Sequence, residues 1–205
     1  MKYSFFIFVA LFPVITSAQG QQSAPPQSST SQAAPTPTQD LASRVPPAKP
    51  EDVKSLDAIL RALYNVISGP AGDRDWNRLR SLCVPEVRLT STTKTSASGV
   101  PAPSVRLLTI DDYVQRAGKY FITHGFYESA IVNRVQRFGN IAQVFSSYES
   151  RNALNEKPFT RGINSIQLFY DGTRWWVLSI LWDDESPSNP LPPEMATRSS
   201  APVSE

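Results

Sequence analysis

Cysteine and histidine are almost absent: the 205 residues hold one of each, Cys83 and His124. A single thiol cannot close an intrachain disulfide and excludes a CxxC zinc or redox site, while one imidazole excludes a His-rich metal cage. The chain must hold by packing alone, and no metal or other cofactor is expected. An excess of one charge is lacking too. The 20 basic and 18 acidic residues leave +2, so no field draws nucleic acid. The basic stretch RDWNRLR, residues 74–80, alternates Arg with Trp76 and Leu79, which reads as the solvated face of an amphipathic helix.

The apolar run from Tyr3 to Ile15 follows Lys2 and ends in Thr16-Ser17-Ala18. It is shorter than the roughly 20 residues that span a bilayer. Residues 1–18 therefore read as a cleaved signal peptide rather than a membrane anchor, and the expected location is secreted or periplasmic, with no membrane partner after cleavage. Residues 19–50 and 187–205 are rich in Pro, Ser, Gln, Ala and Thr. Too few large apolar side chains offset the entropy of ordering them, so a disordered linker and tail are expected. Residues 51–186 suffice for one ordinary domain.

Within that domain, Val53, Leu56, Ile59, Leu60, Leu63, Val66 and Ile67 recur at helical spacing until Gly69-Pro70, which predicts a helix over 51–68. Asp73 is a candidate N-cap for a second helix ending near Leu82 before Pro85, with Cys83 a buried small hydrophobe. A short strand is expected around Val87 and Leu89, and a loop from Thr93 to Ser104. Thr109, Asp111 and Asp112 open a third helix that runs to Gly125. Alternation then predicts strands at 126–138, 141–151, 160–170 and 174–183. Gly139-Asn140 and Asp171-Gly172 supply two-residue hairpin turns.

Helices followed by an antiparallel meander make an α+β domain. On the stretches DDYVQRAGKYFITHGFYE, RFGNIAQVFSSYESR and RGINSIQLFYDGTRWWVLSILWDDE, residues 51–190 resemble the NTF2-like superfamily. SnoaL-like proteins and ketosteroid isomerases belong to it, and this chain looks like a branch of exported bacterial proteins without an assigned activity. The resemblance implies a cone of three N-terminal helices packed on a curved antiparallel β-sheet, a cavity at its wide end and a homodimer formed through the convex face. The superfamily hosts isomerases, dehydratases, cyclases and binding modules, so the fold does not give the function.

Residues opposite one another in an antiparallel pair share a face. With a register assumed across residues 152–159, Tyr127, Asn133, Tyr148, Asn164, Trp175 and Ser179 face the cavity, joined by Tyr120 from the third helix. Apolar walls with a few neutral polar groups suit a small, mostly apolar ligand. The other face holds Phe145, Phe169, Trp176, Leu178, Ile180 and Trp182, too aromatic to be left in water. It is expected to seat a second copy, unless residues 187–193 fold back over it.

No catalytic set carries over from the relatives, because the inward face read this way has no carboxylate. His124 sits at a helix end where it would satisfy free carbonyls. The leading expectation is a ligand-binding domain. An isomerase, dehydratase or hydrolase acting through His124, Tyr127 or the rim acids Asp183, Asp184 and Glu185 is the alternative, and an assembly module with a filled cavity a third. A charged group close to a Tyr or His inside the cavity would favour the enzyme.

Overall fold

The structure, a computed structural model, describes residues 40–94 and 103–197. The signal segment, most of the linker, the end of the tail and the loop centre at 95–102 lie outside the described residues. A 3-10 turn at Leu41–Arg44 precedes α1 (Pro50–Val53), α2 (Leu56–Ile67), α3 (Trp76–Leu82), β1 (Cys83–Lys94), β2 (Pro103–Leu108), α4 (Ile110–Phe121), β3 (Tyr127–Phe138), β4 (Ile141–Arg151), β5 (Thr160–Tyr170), β6 (Trp175–Asp184) and α5 (Pro193–Ala196). One sheet takes all six strands in the order β2-β1-β6-β5-β4-β3. Every neighbouring pair is antiparallel except β1 with β6. This is the α+β layout expected, helices packed on one largely antiparallel sheet.

Local chemistry explains most boundaries, and corrects some. The first predicted helix is broken at Ser55, which adopts extended backbone and accepts the Ala58 N–H to cap α2. Asp75, not Asp73, caps α3 by accepting from Arg78 N at 2.8 Å. Thr109 and Asp112 form a reciprocal capping box at α4. The arginines of 74–80 are not simply solvated. Arg74 donates to the carbonyls of Ile67, Pro70, Gly69 and Gly72 beyond the end of α2, and Arg78 forks onto the buried Asp52 carboxylate. That guanidinium holds the Asp52 carboxyl below its usual range.

The core lies between α2 and the inner sheet face, where Ile59, Leu82, Val144, Ile166 and Val177 are buried. Cys83 is among them, as expected, but opens β1 instead of ending in a helix. Burial pushes its thiol up to about 12.

Gly139 and Gly172 have positive φ, 54° and 100°; Gly139-Asn140 is the two-residue turn expected, but Tyr170 pairs with Trp175, so the second loop holds four residues, 171–174, and not two. Ser150 pairs with Thr160 and Ser146 with Asn164, so the assumed register across 152–159 holds. Two bulges that alternation does not reveal change the faces further along. One extra residue lies between Ala130 and Val132 in β3, and another in β6 opposite the step Gln167–Leu168. Each reverses the side-chain alternation beyond it. Tyr127 and Ser129 thereby turn outward and Glu128 inward. In β6 Ser179 turns outward, while Ile180, Trp182 and Asp184 turn inward.

The expected interface changes accordingly. Ile180 is buried in the core and Trp182 packs against it. Trp176 faces outward but is fully buried, with the Arg174 guanidinium 3.6 Å above its ring and its Nε1–H donating to Asp171 Oδ2 at 2.6 Å. Phe169 is half-buried. Part of the tail folds back as well: Leu191 and Met195 are buried, α5 lies against β3 and β4, and Arg161 donates to the Ala196 carbonyl. Phe145 and Leu178 stay exposed, at 46% and 36%, joined by Ile141 and Leu181.

Candidate functional site

The end of α2 and the start of β3 are clamped together, and this clamp places the principal side chain. Gly69 and Phe126 exchange two backbone hydrogen bonds, 2.7 and 2.9 Å, and Ser68 Oγ accepts from Glu128 N at 2.9 Å. Glu128 is thereby held at the floor of a cavity of about 430 Å³. Leu63, Ile67, Leu89, Leu108, Phe121 and Trp182 wall it, and Tyr64, Tyr113, Tyr148, Asn164, Ser150 and Asp184 bring polar groups to it.

Ser150 Oγ donates to Glu128 Oε2 at 2.8 Å. Burial raises the Glu128 carboxyl to about 7, the Asp184 charge adds to the rise, and Ser150 and Asn164 oppose it. The side chain keeps some accessible area, yet protein encloses it. That area faces two hollows, the cavity and an open groove of about 960 Å³ behind it that Glu128 and Tyr64 also line.

Three tyrosines surround this carboxyl in different bonding states. Tyr148 donates to Asp184 Oδ1 at 2.5 Å, and burial and then Asp184 push its phenol upward. The two can meet only because position 162 is glycine, since a Cβ there would lie 2.6 Å from Tyr148 Oη and 2.3 Å from the Asp183 carbonyl. Tyr64 accepts from Asn164 Nδ2 at 3.1 Å and shares a 2.6 Å bond with Ser146, whose hydroxyl donates onward to Asn133 Oδ1. With Ser146's proton committed to Asn133, the Tyr64 proton is committed to Ser146. Tyr113, also raised by burial and by Glu128, lines the cavity and its hydroxyl has no hydrogen-bond partner among the described residues. Of these three tyrosines it alone has an uncommitted hydroxyl.

The expected pocket residues divide. Tyr120, Tyr148 and Asn164 line the cavity. Tyr127 and Asn133 line the rear groove. Trp175 is packed in the core beside Tyr170, and Ser179 bonds Gln167 outside. The bulges account for Tyr127 and Ser179. Asn133 does face inward, but Ser146 holds it away from the cavity. Asn164 Nδ2 reaches the Tyr64 hydroxyl inside the cavity.

His124 keeps the structural role expected of it. Its Nδ1 lies 3.0 Å from the Tyr120 carbonyl, its ring stacks on Tyr120 at 4.3 Å, and it is exposed outside the cavity. The expectation of an inward face without a carboxylate is overturned, because Glu128 stands there and Asp184 at the rim. Tyr64 and Tyr113 were legible as tyrosines within apolar helical stripes, where a buried hydroxyl must find either a partner or a ligand. Among the described residues no cluster of three or more His, Cys, Asp or Glu could hold a metal.

No family model and no curated protein matches the chain. Solved structures similar to it include an NTF-2 like protein of unknown function from Silicibacter pomeroyi, 10% identical over 64% of this chain and 94% of that one, TM-score 0.45. An NTF2-like protein of unknown function from Pseudomonas putida is 10% identical over 73% of this chain and 93% of that one, TM-score 0.47. A chain provisionally described as the beta subunit of an aromatic-ring-hydroxylating dioxygenase from Novosphingobium aromaticivorans is 13% identical over 65% and 88%, TM-score 0.49.

Proposed function

We propose that this chain is an exported proton-transfer enzyme acting on a small, mostly apolar carbonyl compound held in the cavity. Export rests on the sequence of residues 1–18. The chemistry rests on one observation: the Glu128 carboxyl and the unpaired Tyr113 hydroxyl line the same apolar cavity. A base whose acidity lies near ambient pH is present in both protonation states and can take and return a proton. Glu128 removes a proton from the carbon beside the carbonyl, and the C–H electron pair becomes the new C=C bond while the carbonyl π electrons move to oxygen. Tyr113 hydrogen-bonds that oxygen, and Glu128 returns the proton to the same carbon or to one in conjugation with it. The Tyr148–Asp184 pair closes the rim and keeps a negative charge near Glu128, which favours its protonated form.

The test is hydrogen–deuterium exchange of 2-tetralone in D2O, followed by NMR. Wild-type protein accelerates exchange of its acidic C–H, and Glu128→Gln lowers that rate about 100-fold or more. Equal exchange with both proteins while 2-tetralone binds would sink the assignment.

We further propose that Ile141, Phe145, Leu178 and Leu181 on the outer face seat a second copy of the chain. Uncharged Gln143, Ser165, Gln167 and Ser179 lie among them on that face, and Arg134 stands directly beside Phe145 at its border. Light scattering then gives a dimer at micromolar concentration and a monomer for Phe145→Glu. A wild-type monomer contradicts it.

A further inference from the structure

One end of the cavity differs chemically from the other. Glu128 is on β3, at one edge of the sheet, and Arg106 is on β2, at the opposite edge. Between them a cross-strand row runs from Arg106 through Ser91 and Trp182 to Asn164. Five strand spacings of roughly 4.8 Å put the two edges roughly 24 Å apart along the sheet, less across its curve. Arg116, on α4, lines the cavity together with Arg106.

Some arginines find carboxylates, Arg78 with Asp52, Arg80 with Asp111, Arg151 with Glu149 and Arg161 with Glu185, and Arg74 finds backbone carbonyls. Arg106 and Arg116 have no ion pair among the described residues. Arg116 feels Asp112 one helical turn before it, at longer range than an ion pair. Two guanidinium groups thus line the cavity with their donors uncommitted, and such forks match an oxyanion.

We infer that the cavity takes an elongated amphiphile with an oxyanion head, a carboxylate or a phosphate. The head rests on Arg106 and Arg116, the apolar body lies along Trp182 and Leu89, and the far end is presented to Glu128. This rests on the reading of the cavity as the substrate site, and it adds the substrate's charge and direction of entry. It also explains why an apolar pocket with a carboxylate floor tolerates an anion. The like charges sit at opposite ends, whereas a reversed ligand would meet Glu128 with its head.

Calorimetric titration tests it with three probes of equal chain length, decanoate, decyl phosphate and the uncharged decanamide. At least one of the two anions binds about tenfold or more tighter than the amide, and the tighter one identifies the head group. Added salt shrinks the preference. The exposed substitutions Arg106→Gln and Arg116→Gln, checked by thermal melts, together abolish it while leaving decanamide binding unchanged. Equal binding of all three probes, or a preference that survives the double substitution, overturns the inference and leaves the Glu128 assignment standing. Binding of none overturns the inference as well, and 2-tetralone exchange decides the Glu128 assignment separately.

Discussion

Two carboxylates of this protein, Glu128 and Asp171, both lose water on folding and end at opposite extremes. Burial raises each. At Glu128 it wins, and the group is lifted to about 7. At Asp171 it is outweighed by Trp176, Thr173 and the backbone N–H groups of Arg174 and Thr173, and the group is held down to about 2. Asp171 Oδ1 accepts from Thr173 N, Thr173 Oγ1 and Arg174 N within 2.9 Å, and Oδ2 from the Trp176 indole. A hairpin turn curls N–H donors toward its first side chain, whereas a carboxyl on a paired strand has its neighbours' N–H groups committed to the ladder. The number of donors within reach decides which carboxylate is a fixed charge and which is a proton carrier.

The comparison can be broken at several points. The largest effect on stability belongs to Glu128→Gln. A carboxyl whose folded value lies above its unfolded 4.5 binds more protons folded than unfolded, so wild-type stability falls as pH rises from about 4.5 to about 7 and is level above. The variant removes that penalty, at most about 3 kcal/mol given 1.36 kcal/mol per pKa unit, and should be the more stable protein in denaturant titrations at pH 8 while losing proton transfer. Trp176→Phe comes next. It strips one donor from Asp171, is expected to cost about 2 kcal/mol as a lost bond to a charged group, and raises the Asp171 carboxyl toward 3.8 when followed by NMR.

Asp171→Asn tests the same group through its pH dependence. Wild-type Asp171 is depressed when folded, so its contribution is present above about pH 3.8 and fades as pH falls toward about 2. The variant flattens the melting temperature across that interval alone.

Much of the scaffold was legible because its signals are local. Gly139 and Gly172 announce their turns, Thr109 its helix, and apolar alternation each strand of the meander. The site depended on two insertions of one residue, in AIV at 130–132 and near VLS at 177–179, whose side chains suit a regular strand as well as a bulge. Nothing in those triplets marks the shift, yet it moved Glu128, Trp182 and Asp184 inward and Tyr127 and Ser179 out. β2 was not expected, since its first two residues fell in the loop read from Thr93 to Ser104 and the rest was left unassigned, so Arg106 escaped notice. Leu191 and Met195, single apolar residues among prolines, form no period from which burial could be inferred. Their partners are supplied by strands far away in the chain.

The one parallel pairing, β1 with β6, has a consequence for how the molecule comes into being. Leu89 lies beside Ile180 and Ser91 beside Trp182, so β1 and β2 stay detached from the rest of the sheet until the last strand has been made. Contacts of such sequence separation are slow to form because the loop between them must first be closed. A nascent chain ending before Trp175 would carry a complete β3–β5 meander beside an orphaned hairpin, and a binding chamber lacking one wall. Maturation of the cavity is therefore tied to completion of synthesis.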